Sequence, residues 1–323
     1  MTHAPFTVGT ITAEPGRTAT GYARVDVGEQ TLSLPIAIVH GAQSGPVLAV
    51  TAGIHGGEYV SMLAVRRFIR SLDPTSMTGT VVASLQSSPA AFRERIAFVN
   101  PLDGENLNRS FPGDPQGGPT ERLAHWLWQN VVSRGDAYID CHCGDLPESL
   151  APFTGVVITG DREAEDRAFA IADRFPVPLT LTSTTAGSTF AAAAAAGIPA
   201  VLVEIGDRGL WTEEQVQQQL EGLLAAAAHL GITPGTSGDD PAPHPVFEGA
   251  ASIISEHEGL WFPALRPGDP VAAGGTIGVV EDAFGDTIAT ITSPVGAVYL
   301  YGLTSLAIRV GDFVAALIRP ARR

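Results

Sequence analysis

The chain has 323 residues, of which 45% are hydrophobic, so it can bury a sizeable core and exceeds the usual length of one domain. Its formal net charge of −15 argues against nucleic acid or an anionic membrane surface as a general partner. No apolar stretch reaches transmembrane length, so we expect a cytoplasmic protein. All 19 basic residues are arginines, and the absence of lysine excludes a lysine Schiff base, a P-loop lysine and covalently attached biotin or lipoate.

Short β-favouring runs dominate the beginning of the chain. Residues 1–36 predict an N-terminal β segment packed on the catalytic domain, because these runs are interrupted by Pro-Gly and Gly-Glu pairs. Residues 37–50 continue as strand, turn and strand. A helical pattern over 61–72 and a buried strand over 80–86 follow, and this alternation predicts a mixed α/β sheet.

A histidine and a glutamate stand where the second of those strands gives way to the helix. His55 and Glu58 belong to the segment Thr-Ala-Gly-Ile-His-Gly-Gly-Glu-Tyr, and they can point the same way if the first helical turn begins near Gly56. Imidazole and carboxylate groups are ligands suited to Zn²⁺. A catalytic zinc site needs three protein ligands and a fourth position left to water, so this pair predicts a third ligand elsewhere in the chain.

Two later apolar runs each end at a residue that can bind a metal or transfer a proton. The run over 137–141 delivers His142, and the run over 199–203 delivers Glu204. Ligands of open α/β sheets bind at the carboxyl ends of strands. We therefore predict His142 as the third zinc ligand and Glu204 as a nearby carboxylate.

A long polar loop over 87–118 carries the candidate substrate-binding residues. A loop of this length inside a compact domain is uncommon unless it is functional, and its richness in Asn, Arg, Gly and Pro is typical of a binding loop. Arg109 offers a planar bidentate donor for a substrate carboxylate, with Asn108 beside it. Arg95 is the candidate for stabilising an oxyanion, and Arg93 is the alternative.

The remainder of the chain predicts a closing helix and a separate β module. An amphipathic helix over 213–230 is expected to present its acidic and Gln residues as a solvated face. A near-repeat, Arg266–Ala273 against Arg309–Ala316, suggests two copies of a strand–turn–strand unit in a small β-sandwich. The predicted boundaries are a catalytic domain over 37–231, a linker over 232–246 and a C-terminal β module over 247–323.

Together these residues predict metal-assisted hydrolysis of an amide. One zinc ion per chain, held by His55, Glu58 and His142, would lower the pKa of a bound water, and Glu204 would take its proton and pass it to the leaving amine. Another divalent metal remains an alternative to zinc. The sequence alone leaves the acyl group and the amino acid open.

Four ordered motifs carry a resemblance to a known family. The His-Gly-Gly-Glu segment, Asn-Leu-Asn-Arg-Ser-Phe-Pro-Gly over 106–113, Asp-Cys-His-Cys-Gly over 140–144 and Val-Glu-Ile-Gly over 203–206 resemble the succinylglutamate desuccinylase/aspartoacylase family of the wider zinc carboxypeptidase (M14-like) group. The second motif also resembles deacetylases of N-acetyl-2,4-diaminobutyrate. One departure is Cys143, which stands where these relatives often have Ser.

The resemblance implies a zinc-carboxypeptidase-like α/β fold and a deacylase that acts on a small N-acyl amino acid or related amide. It implies the same metal ligands, the same general base in Glu204, and substrate-carboxylate contacts by Asn108 and Arg109. The C-terminal module resembles the barrel-sandwich fold of lipoyl and biotinyl carrier domains, and without a lysine it is expected to act as a lid or to contact a neighbouring subunit of a homo-oligomer. The alternatives are a metallocarboxypeptidase for short or modified peptides and a non-catalytic binding protein.

Overall fold

The computed structural model describes residues 3–183, 186–234 and 241–322. Its helices are α1 (Tyr59–Ser71), α2 (Pro89–Glu94), α3 (Pro119–Asn130), α4 (Arg162–Ala172), α5 (Thr189–Ala195) and α6 (Glu213–His229). The strands that precede the C-terminal region are β1 (Phe6–Val8), β2 (Ile11–Ala13), β3 (Arg17–Asp26), β4 (Thr31–His40), β5 (Gln43–Ala52), β6 (Thr78–Ser84), β7 (Ala137–His142), β8 (Glu148–Leu150), β9 (Phe153–Val157), β10 (Thr180–Ser183) and β11 (Ala200–Glu204). The strands of the C-terminal region are β12 (Val246–Ile254), β13 (Gly259–Pro263), β14 (Pro270–Val271), β15 (Thr276–Glu281), β16 (Thr287–Thr292), β17 (Ala297–Leu303), β18 (Ala307–Ile308) and β19 (Phe313–Pro320).

One mixed sheet of 13 strands organises the molecule, in the order β14-β17-β19-β12-β10-β9-β11-β7-β5-β6-β4-β3 with β8 paired to β17. Its central strands β11, β7, β5 and β6 are parallel neighbours. The registers Thr51↔Asp140 and Glu204↔His142 place the carboxyl ends of three of them side by side. The predicted fold class, a mixed α/β sheet flanked by helices, is confirmed.

Helices cover both faces of the central strands. α1, α4 and α6 pack on one face and α3 and α5 on the other. Successive residues of β5 alternate between the two layers, since Leu48 and Val50 belong to the first hydrophobic cluster and Ala49 to the second. This burial on both faces is why the strand reads as a continuous apolar run. Each large side chain fully buried in such a layer, Phe68 among them, stabilises the fold by roughly 1.5–3 kcal/mol.

The C-terminal region consists of antiparallel strands in two sheets. β12, β14, β17 and β19 extend the large sheet through the parallel pairing of β12 with β10, whereas β13, β15, β16 and β18 form a four-stranded sheet. One hydrophobic cluster, which includes Trp261 and Val314, joins the two sheets. The near-repeat forms the same turn twice, because the Asp269 and Asp312 carboxylates accept hydrogen bonds from the backbone N–H groups of the arginines three residues earlier, at 2.8 and 2.9 Å.

Three sequence-based expectations need correction or restriction. The loop over 87–118 is not irregular throughout, since it contains α2, which begins at Pro89, and one 3₁₀ turn at Leu107–Arg109. The polar residues of α6 do not all face solvent, because Gln219 is fully buried. Part of the predicted linker, residues 235–240, lies outside the described residues. None of the helices described is long and apolar enough to cross a membrane.

Candidate metal centre and active site

The loop that joins β5 to α1 turns tightly and passes between α2 and the segment after β7. Gly53 adopts φ +63°, a conformation that L side chains rarely take. A Cβ atom on Gly57 would collide with Asp145 Oδ1, so only glycine lets the chain pass this buried carboxylate. The loop therefore presents His55 and Glu58 together, immediately before α1 begins at Tyr59.

The three predicted metal ligands converge in this structure. His55 Nδ1 lies 2.6 Å from Glu58 Oε1, and His142 Nδ1 lies 2.9 Å from Glu58 Oε2. One ligand atom from each residue lies within 4.8 Å of the others. Glu58 Oε2 is buried without a hydrogen-bond partner despite its closeness to His142, because the contact lacks hydrogen-bonding geometry. This closeness of three ligand atoms is the arrangement that a bound cation requires.

Each imidazole ring has an oxygen atom beside its second nitrogen. Asn106 Oδ1 is hydrogen-bonded to His55 Nε2 at 3.2 Å. Asp140 Oδ2 lies 3.2 Å from His142 Nε2 as an ion-pair contact, without hydrogen-bonding geometry. Asp140 is itself fixed by a 2.7 Å hydrogen bond from Thr51 Oγ1. An oxygen acceptor at Nε2, as Asn106 provides for His55, favours the tautomer with its proton there and leaves Nδ1 with a lone pair for a metal.

Gln219 adds a further support that the sequence had not indicated. Its Nε2 donates a 3.1 Å hydrogen bond to the backbone carbonyl oxygen of His142. Because Gln219 comes from α6, it anchors the end of β7 to the helix layer. Periodicity had placed its polar group on the solvated face of that helix, and that expectation is wrong for this residue.

The electrostatics of the cluster favour a cation. Burial would lower the pKa of His142, but Glu58 and Asp140 together raise it well above its ordinary value. Burial would likewise raise the pKa of Glu58, yet the two imidazoles hold it below its usual range. The site thus concentrates negative charge that attracts a proton or a metal ion, and the donor set of two imidazoles and one carboxylate fits zinc.

A cavity of about 540 Å³ opens beside this cluster. The predicted residues that line it are the three ligands, the base candidate and the substrate-binding pair: His55, Glu58, His142, Glu204, Asn108 and Arg109. The structure therefore brings together six side chains that are spread over most of the first 204 positions.

Glu204 reaches the cavity from the carboxyl end of β11, directly beside His142 of β7. Its Oε2 is buried without a hydrogen-bond partner. Burial raises the pKa of the Glu204 carboxyl well above its ordinary value, and the neighbouring carboxylates of Glu58 and Glu148 reinforce the shift against the opposing charge of His142. A carboxyl group of raised pKa inside a cleft is a candidate for general acid–base catalysis.

The Asn108-Arg109 pair forms another part of the wall. Asn108 is buried, and its Oδ1 accepts hydrogen bonds from the backbone N and the Oγ1 of Thr189, at 2.9 and 3.1 Å. Its side-chain N–H groups are therefore the polar groups left for a ligand. Arg109 Nη1 donates to the Asn108 carbonyl oxygen at 2.6 Å, which holds the guanidinium at the cavity.

The two candidates for the oxyanion arginine lie elsewhere. Arg93 is in the last turn of α2, Arg95 follows as its C-cap with φ 55°, and both side chains are exposed and absent from the cavity wall. The loop contributes Phe98 instead, whose ring meets His55 edge to face at 5.9 Å between centroids. Arg109 is the one guanidinium among the cavity-lining residues that the structure describes.

Several cavity residues were not predicted from sequence. Glu148 comes from β8, and Tyr301 and Phe313 come from β17 and β19 of the C-terminal region. β8 is joined to β17 by antiparallel pairing, which pairs Leu150 with Tyr301. Only Glu148 could have been suspected from its position in the sequence, because the chain that follows His142 must pass the carboxyl ends of the sheet strands. Nothing in the local sequence of Tyr301 or Phe313 indicates that they reach this cavity.

Known proteins resemble this chain in sequence and in fold. The family described as succinylglutamate desuccinylase/aspartoacylase catalytic domain matches residues 44–230. The N-alpha-acetyl-L-2,4-diaminobutyric acid deacetylase of Halomonas elongata is 30% identical over 265 residues, which cover 80% of this chain and 77% of that protein.

Solved structures share the whole fold, including the C-terminal region. The succinylglutamate desuccinylase/aspartoacylase from Rhodobacter sphaeroides superposes with a TM-score of 0.85 at 24% identity, covering 96% of this chain and 98% of that one. The product-bound ectoine utilization protein EutE (DoeB) from Ruegeria pomeroyi gives a TM-score of 0.85 at 22% identity, with the same coverage of 96% and 98%. At these identities the likeness concerns the fold alone.

Proposed function

The chain belongs to the succinylglutamate desuccinylase/aspartoacylase family, and from that premise we propose that it is a zinc-dependent deacylase of small N-acyl amino acids. The observation that carries the proposal is the convergence of His55, Glu58 and His142 at a cavity that also holds an unpaired carboxyl and a guanidinium. Each of these groups has a task in the hydrolysis of a linear amide.

The three converging residues would hold the metal, one ion per chain. When bound, zinc supplies Lewis acidity toward the amide carbonyl and toward a water molecule. Asn106 would keep the His55 ring oriented through its hydrogen bond at Nε2, and the charge of Asp140 would support His142. The buried Oε2 of Glu58, which has no hydrogen-bond partner, lies 2.9 Å from His142 Nδ1.

Glu204 is the proposed proton carrier. Its Oε2 would take a proton from the attacking water, hold it in the buried carboxyl group, and deliver it to the leaving nitrogen as the C–N bond breaks. The raised pKa of this carboxyl suits the transfer, because a carboxyl group of raised pKa accepts and holds a proton more readily than an ordinary one.

Asn108 and Arg109 are proposed to hold the carboxylate of the amino acid portion. The guanidinium supplies charge and a forked donor, and the Asn108 side-chain N–H groups add a neutral donor. The oxyanion role of Arg95 stays a prediction, and it requires this exposed side chain to move toward the cavity. A cavity of about 540 Å³ with a wall from the C-terminal region suits a small acyl amino acid better than an extended peptide.

The first substrate to try is N-acetyl-2,4-diaminobutyrate, on which the Halomonas elongata relative acts by name. The test combines elemental analysis of the purified protein with amine release from N-acetyl, N-succinyl and N-formyl amino acids, with and without chelator. About one zinc per chain and chelator-sensitive release are expected. Metal without release from any of these compounds would move the activity toward peptides, and absence of metal affinity would favour a binding protein.

A further inference from the structure

One carboxylate in the cavity has no part in the proposed reaction. Glu148 lies on β8, where Glu148 and Leu150 point into the cavity and Ser149 points away to Asp207, whose Oδ2 accepts its hydrogen bond at 2.7 Å. The alternation of a strand therefore fixes the direction of the Glu148 side chain. Its pKa is raised to about 7 by burial and, secondarily, by the charge of Glu58.

The Glu148 carboxylate lacks a charged side-chain partner in contact with it within the part of the chain that the structure describes. It forms no ion pair and no hydrogen bond with another side chain there. The Asp145 backbone N–H and the charge of His55 favour its ionised form, but burial outweighs them. Arg309, which shares a neighbouring pocket with Glu148, pairs with Asp312 at 3.1 Å. Arg109 donates to the Asn108 carbonyl oxygen. A partly buried carboxylate without a counter-charge is costly unless a ligand supplies one.

Aromatic rings surround the same part of the wall. Phe153 and Tyr301 stack with their ring planes 10° apart and their centroids 6.4 Å apart, and Phe313 lies 5.5 Å from Tyr301. All three rings line the cavity together with Glu148. Ring faces attract cations, and an ammonium group is the ligand group that benefits from a carboxylate and aromatic faces together.

The distribution of charge in the cavity points the same way. The described residues of its wall carry three carboxylates, those of Glu58, Glu148 and Glu204, against one guanidinium, that of Arg109. Glu58 is assigned to the metal, Glu204 to proton transfer and Arg109 to the substrate carboxylate. Glu148 is left over, and it would repel a substrate whose side chain ended in a second carboxylate.

We propose that Glu148, together with the aromatic wall of Phe153, Tyr301 and Phe313, selects N-acyl amino acids whose side chain ends in a primary ammonium group. The inference rests on the proposed deacylase function and assigns its side-chain specificity. Glu148 is a specificity residue in this scheme and takes no part in bond breaking.

The test compares wild type with Glu148→Gln on two substrates of the same shape. N-Acetyl-2,4-diaminobutyrate carries an ammonium group where N-acetylnorvaline carries a methyl group. For the ammonium substrate, the variant should lose roughly 10- to 100-fold in kcat/KM, which is the range for removal of a charged hydrogen bond. For N-acetylnorvaline it should keep the wild-type value. The loss should fall on KM, because the carboxylate binds the ground state and the transition state equally.

Two further measurements separate binding from folding. Free 2,4-diaminobutyrate should inhibit wild type more strongly than norvaline does, and Glu148→Gln should abolish that difference. Glu163→Gln, which removes an exposed carboxylate on α4, is the matched control and should behave as wild type. Thermal unfolding of each zinc-loaded variant shows whether it is folded.

The outcomes distinguish the two proposals. If wild type hydrolyses both substrates and Glu148→Gln lowers both equally, Glu148 is not a specificity residue, and the deacylase function stands. Equal rates of wild type on the ammonium substrate and its isostere would overturn the inference in the same way. If wild type releases no amine from any N-acyl amino acid, the deacylase function fails, and the inference falls with it.

Discussion

Two walls of the same cavity are built by different means. The metal wall, formed by the three ligands and Glu204, comes from the carboxyl ends of the parallel strands β5, β7 and β11 and the loops that follow them. A second group of lining residues, Glu148, Tyr301 and Phe313, which we call the opposite wall, comes from β8 and from two strands of the C-terminal region. The first wall is local to the catalytic sheet, whereas the second depends on how the C-terminal region docks on it.

The two walls also shift the pKa of a carboxyl group in opposite directions. Glu58 on the metal wall faces two imidazoles, which hold its pKa below the usual range in spite of burial. Glu148 on the opposite wall forms no ion pair with an imidazole among the described residues, and burial raises its pKa to about 7. A paired carboxylate serves a centre that is already complete in the protein. The unpaired carboxylate of Glu148 is available to bind a positively charged group of the substrate. We therefore assign the reaction type to the metal wall and the substrate specificity to the opposite wall.

Loss of a metal ligand should have the largest effect. His142→Ala removes a buried ligand and the partner of Glu58 and Asp140, so the protein should lose metal and fall to background activity. Elemental analysis measures the loss of metal, and an assay of amine release measures the loss of activity. His257→Ala, in the C-terminal region, is the matched control and should retain both. Full zinc occupancy in His142→Ala would mean that the metal wall has been assigned wrongly.

Removal of the proton carrier should come next. Glu204→Gln preserves shape and retains the metal, but it cannot accept a proton, and such transfer typically contributes ~10²–10⁴ in rate. The expected result is a fall in kcat of that order with unchanged metal content. Near-normal turnover would exclude Glu204 from the mechanism and would leave it only as a neighbour of His142 in the sheet.

Much of the metal wall could be predicted from the sequence because its signals are local. His55 and Glu58 are three residues apart, and His142 and Glu204 each end an apolar run. The rule that parallel strands present their carboxyl ends at one edge then brings them together. Periodicity predicted α1 and α6 to within a few residues, over 61–72 against Tyr59–Ser71 and over 213–230 against Glu213–His229, but it missed α2.

The opposite wall could not be predicted, because its contacts join distant parts of the chain. Tyr301 meets Leu150 only through the pairing of β17 with β8, and no local pattern specifies that register. Gln219 was misjudged for a related reason, since its tertiary bond to the His142 carbonyl overrides the polar face of α6. Long-range pairing and single buried polar contacts are decided by packing.

The support behind the metal wall should matter less than the ligands themselves. Asp140→Asn keeps the size of the side chain but removes the charge that orients His142 through Nε2, so metal affinity should fall by roughly 10- to 100-fold. Titration with a chromophoric chelator measures the change. An unaltered affinity would show that the Thr51 hydrogen bond and packing suffice to hold the ring.

A change in the opposite wall should alter substrate binding without touching the metal. Tyr301→Leu removes one ring of the aromatic wall, and KM for an ammonium substrate should rise roughly 3- to 10-fold. Zinc content and kcat should stay at wild-type values. A loss of zinc in this variant would show that the two walls are not independent.

The smallest expected effect is a pH dependence of stability that separates the two carboxylates. In metal-free protein the pKa of Glu148 is about 7 against an ordinary value of 4.5, because burial and then Glu58 disfavour its charge. Because the pKa of Glu148 is higher in the folded protein than in the unfolded chain, protonated Glu148 contributes fully to stability below the unfolded-state pKa. This contribution is lost as the pH rises through about 7, where the buried carboxyl ionises. Glu148→Gln cannot ionise, so after chelation it should unfold at a higher temperature than wild type at pH of about 8, and the advantage should shrink toward pH of about 5. If the difference in unfolding temperature between the two proteins stays constant from pH of about 5 to about 8, Glu148 titrates as an ordinary carboxyl group. The contrast between paired Glu58 and unpaired Glu148 would then lose its electrostatic basis.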